Sequence, residues 1–124
     1  MQKQSRQVAR IAVGIPFALA VSLSGVDAHA HDPGRITVIE TEYSITVSRP
    51  NVRAGQTYTL DVRNDGRTRH DLVIAGPGVD SRTPVLEAGT TSELTVTLQS
   101  GTYALWCSVG KHHSLGMRSS ISVS

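Results

Sequence analysis

The chain of 124 residues holds one cysteine, Cys107, and one methionine beyond the initiator, Met117. His112 lies between them, five positions from each. The run Cys107-x4-His112-x4-Met117 falls between two strand-like segments, so its three side chains share one loop. His70 stands far upstream, past the turn Asn64-Asp65-Gly66 and before the apolar run Leu72-Val73-Ile74. Two imidazoles and a thiolate make a trigonal set, and a thioether adds a weak, long axial contact. That combination suits a single copper ion that moves electrons. A structural zinc site would take a fourth Cys or His rather than a thioether. Mixed sulfur and nitrogen donors serve both Cu(I) and Cu(II) with little rearrangement.

Such ligands need a rigid frame, and the pattern from Arg35 onward supplies one. In Gln56–Arg63, Tyr58, Leu60 and Val62 point one way while Thr57, Thr59, Asp61 and Arg63 point the other. Glu93–Leu98 alternates in the same way. Shorter runs cover 36–41, 43–48, 71–75, 84–86, 102–107 and 118–123. Turn residues separate them: Pro50-Asn51, Ala54-Gly55, Asn64-Asp65-Gly66, Gly76-Pro77-Gly78 and Ser100-Gly101. A single helical turn is expected at most, in the 77–83 loop. The prediction is an all-β, Greek-key β-sandwich of about eight strands. Loops at one end of such a sandwich meet even when distant in sequence, which lets His70 reach Cys107, His112 and Met117.

These motifs resemble the cupredoxins, the small blue copper proteins. The resemblance covers residues 35–124 and rests on Asn64-x5-His70-Asp71-Leu72-Val73-Ile74 followed by Cys107-x4-His112-x4-Met117. The spacing of the second part is similar to that of auracyanin and rusticyanin; plastocyanin and pseudoazurin have a shorter Cys-to-His gap. The resemblance implies one type 1 copper ion, cycling between Cu(I) and Cu(II), on His70, Cys107, His112 and Met117. It places Asp71, Ser108 and Asn64 behind these ligands as supports. Asp71 departs from the family pattern, which often has Asn there. A carboxylate so close to the thiolate is expected to lower the copper potential, and to brace Ser108 by hydrogen bonding. By the same resemblance the electron leaves through His112, with Val109, Leu115, Gly116, Pro77 and Gly76 as candidate rim residues. His113 is expected to face solvent or to join a docking rim, and Trp106 to face away from Cys107 into the core or between the sheets.

The start of the chain reads as a secretory signal peptide over residues 1–30. Lys3, Arg6 and Arg10 precede the apolar stretch 11–23, and Ala28-His29-Ala30 offers a cleavage site after Ala28 or Ala30. The apolar stretch is shorter than the roughly 20 residues of a bilayer span, so the mature form is expected to lack one. There is no Arg-Arg pair for a twin-arginine route. The expected destination is the periplasm or another exported location, with 31–124 as the copper-binding domain. Cleavage after Ala28 would start the chain His29-Ala30-His31, where a free amine and a third-position histidine can bind copper(II) in a square plane, and cleavage after Ala30 would put the amine on His31 itself; exposed amine-imidazole pairs bind copper(II) generally, so no role is assigned to either histidine.

Charge and composition narrow the functions. The net charge of +2 resides in residues 1–30, and residues 31–124 hold nine basic and nine acidic side chains. With aromatics at 4%, nucleic acid is not an expected partner. An enzyme is not expected either, because histidines for a second copper cluster are lacking and no nucleophile triad or phosphate loop appears. The expected role is electron transport, with transient redox partners of the cytochrome, oxidase or reductase type. The alternative is a periplasmic copper-binding, resistance or delivery protein using the same ligands.

Overall fold

The structure is a computed structural model in which residues 32–124 are described. The expected signal peptide, His29 and His31 lie outside the described residues. Among the described residues there is no α-helix, and no helix is long and apolar enough to cross a membrane.

Among the described residues nine strands form two sheets. The first holds β1 (Arg35–Thr41), β2 (Ser44–Val47), β4 (Gln56–Asn64) and β7 (Thr91–Leu98), in the order β2-β1-β4-β7. The second holds β3 (Asn51–Val52), β5 (Val73–Gly76), β6 (Val79–Arg82), β8 (Gly101–Trp106) and β9 (Arg118–Val123), in the order β3-β9-β8-β5-β6. The chain crosses between sheets repeatedly, as a Greek-key sandwich requires. Two pairings are parallel, β1 with β4 and β3 with β9; the others are antiparallel.

Alternation decides what faces inward. Ile36 and Val38 from β1, Tyr58, Leu60 and Val62 from β4, and Tyr103 and Leu105 from β8 are all buried. Each lies two residues from the next on its strand, so one face of each sheet goes into the core and the other stays wet. Glu40 continues the inward row of β1 and is fully buried.

Three stretches differ from expectation. Residues 77–83 do not form a helical turn: Val79–Arg82 pairs with β5 as a tight hairpin, with Gly76 opposite Val79. Pro84–Leu86 is not a strand, and only Leu86 makes an isolated bridge, to His70. Asn51–Val52, read as part of a turn, pairs in parallel with the end of β9.

The register brings the chemistry to one pole. Trp106, the last residue of β8, pairs with Val73 at the start of β5 and with Arg118 at the start of β9. The residues just beyond those three positions, including His70, Cys107 and Met117, therefore gather at the same end. Glu40 and Asn64, near the ends of β1 and β4, are register partners. The β1–β2 turn follows directly after Thr41.

Candidate metal centre

Cys107 ends the inward-facing row of β8 and is fully buried. The loop that follows closes on itself. The Cys107 amide donates to the Met117 carbonyl at 3.2 Å, and the Met117 amide donates to the His112 carbonyl at 3.1 Å. Within it His113–Leu115 form one turn of 3-10 helix. Gly116 ends that turn at φ 105°, a left-handed conformation that a side chain would strain. Met117 is fully buried and packs in the hydrophobic core.

His70 is held from the other side. Its amide donates to the Leu86 carbonyl at 3.2 Å and its carbonyl accepts from the Leu86 amide at 2.7 Å. Asn64 secures the loop leading to it: its Nδ2 donates to the carbonyls of Thr68 (2.8 Å) and Leu86 (2.9 Å), and its Oδ1 accepts from the Gly66 amide. Asn64 therefore pins the loop that carries His70.

Three donor atoms converge. Nδ1 of His70 and Nδ1 of His112 are 3.2 Å apart, and Sγ of Cys107 lies 3.9 Å from the first and 3.6 Å from the second. A point equidistant from all three lies about 2.1 Å from each, which matches the roughly 2.0–2.3 Å of metal bonds to imidazole nitrogen and thiolate sulfur. The donor set thus fits a single metal ion. His70 and Cys107 are buried, while His112 is only partly covered.

The expected brace is present. Asp71 Oδ1 accepts from the Ser108 amide at 2.6 Å and Oδ2 accepts from the Ser108 hydroxyl at 2.5 Å. The Asp71 amide donates to Sγ of Cys107 at 3.5 Å. Burial raises the Cys107 thiol above its ordinary value; amide donors from Asp71 and Val109 pull it down, and the charges of Asp71 and Glu40 push it up. The net direction is upward, so the copper-free thiol holds its proton and a metal must displace it.

Two residues of the centre carry no signal in the sequence pattern. Glu42 and Tyr43 occupy the β1–β2 turn, and the peptide between them is cis. Glu42 Oε1 lies 3.0 Å from Nε2 of His70 and also accepts from the Arg67 amide, the Thr68 amide and the Thr68 hydroxyl. The Thr68 amide is the largest of the influences that lower its carboxyl to about 2. The ring of Tyr43 meets His112 edge-on, with centroids 5.0 Å apart.

The rim differs from expectation in part. Leu115 and Tyr43 are exposed, Gly116 is open to solvent, and Val109 is half-buried. Gly76 and Pro77 sit at the opposite pole: Gly76 packs against Tyr103, and Pro77 lies against Gly101, where β8 begins. At strand rise, Tyr103 beside Gly76 is about 13 Å from Cys107 and Gly101 beside Pro77 about 20 Å. Trp106 is not in the core. It faces outward, half-covered, and stacks on exposed His113 with ring centroids 5.9 Å apart. The rule that neighbours on a strand face opposite ways holds here, but the face opposite Cys107 is the solvent face.

Residues 11–117 match the family model of the cupredoxin-like domain, and the chain belongs to that family. No curated protein matches it in sequence. Among solved structures it is similar to dithionite-reduced auracyanin from the photosynthetic bacterium Roseiflexus castenholzii, at 22% identity and a TM-score of 0.65, with 73% of this chain and 97% of that one covered. It is also similar to auracyanin A of Chloroflexus aurantiacus, described as a "blue" copper protein, at 20% identity and a TM-score of 0.56, covering 73% and 100%. Reduced rusticyanin follows at 18% identity and a TM-score of 0.57, covering 73% and 80%. At these identities the structural likeness establishes the fold. Family and His-Cys-His cluster together point to a blue copper protein.

Proposed function

We propose that this chain is an exported electron carrier that holds one copper ion on Nδ1 of His70, Nδ1 of His112 and Sγ of Cys107, with the Met117 thioether as weak axial ligand. The observation that carries the reading is the convergence of those three donor atoms at a common bonding distance. Copper, when bound, supplies a one-electron Cu(I)/Cu(II) couple. The chain supplies a hydrogen-bonded frame: the Cys107 amide is tied to the Met117 carbonyl just past the end of β8, the Leu86 bridge holds His70, and the closed loop holds His112 and Met117. Rigid ligands keep reorganisation small when the charge changes.

His112 is the one partly exposed member of the trio, with exposed Tyr43 and Leu115 nearby in the turn and loop around it. It is the proposed route for the electron to a transient redox partner, through a small contact of the kind such complexes use. The reading is not enzymatic. A groove of about 450 Å³, lined by Pro33, Arg49, Val52, Arg53 and Tyr58 among others, shares no residue with the cluster. Full burial of Cys107 and Met117 favours retention of copper over its handover, which supports a carrier over a delivery protein. Export rests on the reading of residues 1–30 as a signal peptide.

The test is to add copper(II) to purified protein and record its visible spectrum. An intense thiolate-to-copper band, absent in Cys107→Ser, and reversible one-electron voltammetry are expected. A weak d–d spectrum, or copper lost on reduction, would overturn the carrier reading.

A further inference from the structure

Glu42 stands directly behind His70. Its Oε1 is 3.0 Å from Nε2, while Nδ1 of the same ring faces Cys107 and His112. A neutral imidazole has one N–H, and a carboxylate only accepts. The contact therefore places the ring hydrogen on Nε2 and leaves the Nδ1 lone pair aimed at the cluster. In the copper-free protein His112 then supplies the hydrogen of the 3.2 Å contact between the two rings.

Glu42 is anchored independently of that ring. The same oxygen accepts from the Arg67 amide at 2.8 Å, the Thr68 amide at 2.9 Å and the Thr68 hydroxyl at 3.0 Å. It is a fixed point to which His70 is tied. Gly66 leaves the space for this meeting: a Cβ there would lie 2.5 Å from Oε1 of Glu42 and 2.9 Å from Nε2 of His70. Any larger residue at 66 would push the two apart.

We infer that Glu42 is a positioning residue for the copper centre, fixing His70 in the Nε2–H tautomer and setting a negative charge one imidazole away from the metal, where it favours copper(II) over copper(I). The inference rests on the copper reading above. A carboxylate partner on a ligating imidazole both orients the ring and raises its basicity. A turn 28 residues upstream thus acts on the centre through one oxygen.

Three variants test it in the full-length protein: Glu42→Gln, Glu42→Ala and Gly66→Ala. The first readout needs no metal. Nitrogen NMR of the copper-free protein should show His70 protonated on Nε2 in the wild type and in Glu42→Gln, which keeps an acceptor oxygen. Glu42→Ala and Gly66→Ala should lose that preference. The second readout is the copper-loaded protein. Glu42→Ala should lose about 10–100-fold in copper(II) affinity and much less in copper(I) affinity. Each tenfold of that difference raises the potential by about 59 mV for one electron. Glu42→Gln should also raise the potential, since it keeps the geometry and removes the charge.

A wild-type His70 protonated on Nδ1 would overturn the positioning claim. So would an unchanged potential in both Glu42 variants when the wild type shows its thiolate–copper band. If Glu42→Ala does not fold, Glu42→Gln and Gly66→Ala decide the matter. Absence of that band in the wild type would count against the copper reading instead, and the tautomer measurement would still decide how His70 is held.

Discussion

Asp71 and Ser108 are joined by two hydrogen bonds, one from the Ser108 amide and one from its hydroxyl, each to a different oxygen of the same carboxylate. Asp71 follows His70 and Ser108 follows Cys107, so this pair links the two loops that carry the donor atoms. Bonds to a charged acceptor are the stronger kind. Asp71→Ala should lower stability by about 1–3 kcal/mol and broaden the copper spectrum as the loops loosen. Asp71→Asn keeps one acceptor and removes the charge, so it should lose less stability and raise the potential. Urea unfolding and voltammetry check both. Equal stability in the wild type and Asp71→Ala would remove the brace.

Glu40 is fully buried on the inward face of β1, and neither of its carboxyl oxygens has a hydrogen-bond partner among the described residues. Burial, then the charge of Asp71, pushes this carboxyl up from 4.5 to about 8. Asp71 and Cys107 are the titratable groups coupled to it, and Ile45 and Asn64 are its uncharged register neighbours. Between those two values the folded chain holds a proton that the unfolded chain has released. Stability therefore falls as pH rises through that window, by up to about 1.4 kcal/mol per pH unit, and levels off above the folded value. Glu40→Gln should flatten the profile. Unfolding of the copper-free protein across this range measures it, and identical profiles for the two proteins would contradict the assignment.

Met117 serves the core as well as the proposed centre. Met117→Leu conserves volume and should cost less than about 1.5 kcal/mol. It removes an axial donor and leaves a more apolar, lower-coordinate site, which costs the more highly charged copper(II) more than copper(I), so the copper potential should rise and the visible spectrum change. A variant with unchanged potential and spectrum would leave Met117 with a packing role alone.

Copper uptake should depend on pH through Cys107. The thiol lies above its ordinary value, chiefly from burial, and binding must release its proton. Apparent copper(II) affinity should therefore rise with pH, by up to about tenfold per unit for one proton. Titration at several pH values with a competing chelator reads the slope, and a flat response would mean that the thiolate is not a ligand.

Much of the frame was legible in the sequence because one physical rule built it. Strands β1, β2, β4, β7, β8 and β9 alternate between apolar and polar residues, and each was expected close to where it lies. Val79–Arg82 escaped because Asp80 and Ser81 are poor strand formers; the tight hairpin after β5 and the pairing with Ile74 and Ala75 make the strand. Pro84–Leu86 looked like a strand by composition but pairs only through Leu86. Within the cluster, Cys107 and His112 were legible because local spacing placed them in one loop. Glu42 and Tyr43 were not, since their partners are fixed by the register of β1 rather than by any neighbouring motif. The rim assignments of Gly76 and Pro77 failed because a glycine-proline turn fits either pole of a sandwich. Only the direction of β5 tells which one.

Full burial of Cys107 has a consequence for the chain's chemistry outside its proposed redox role. A lone thiol in an oxidising compartment ordinarily invites covalent dimers and overoxidation, and both begin with attack at an accessible sulfur. Here the sulfur is sealed beneath the folded loop, so two copies cannot cross-link and alkylating reagents have no target until the chain opens. The same seal that would hold the sulfur for its proposed ligand role therefore also protects it from damage.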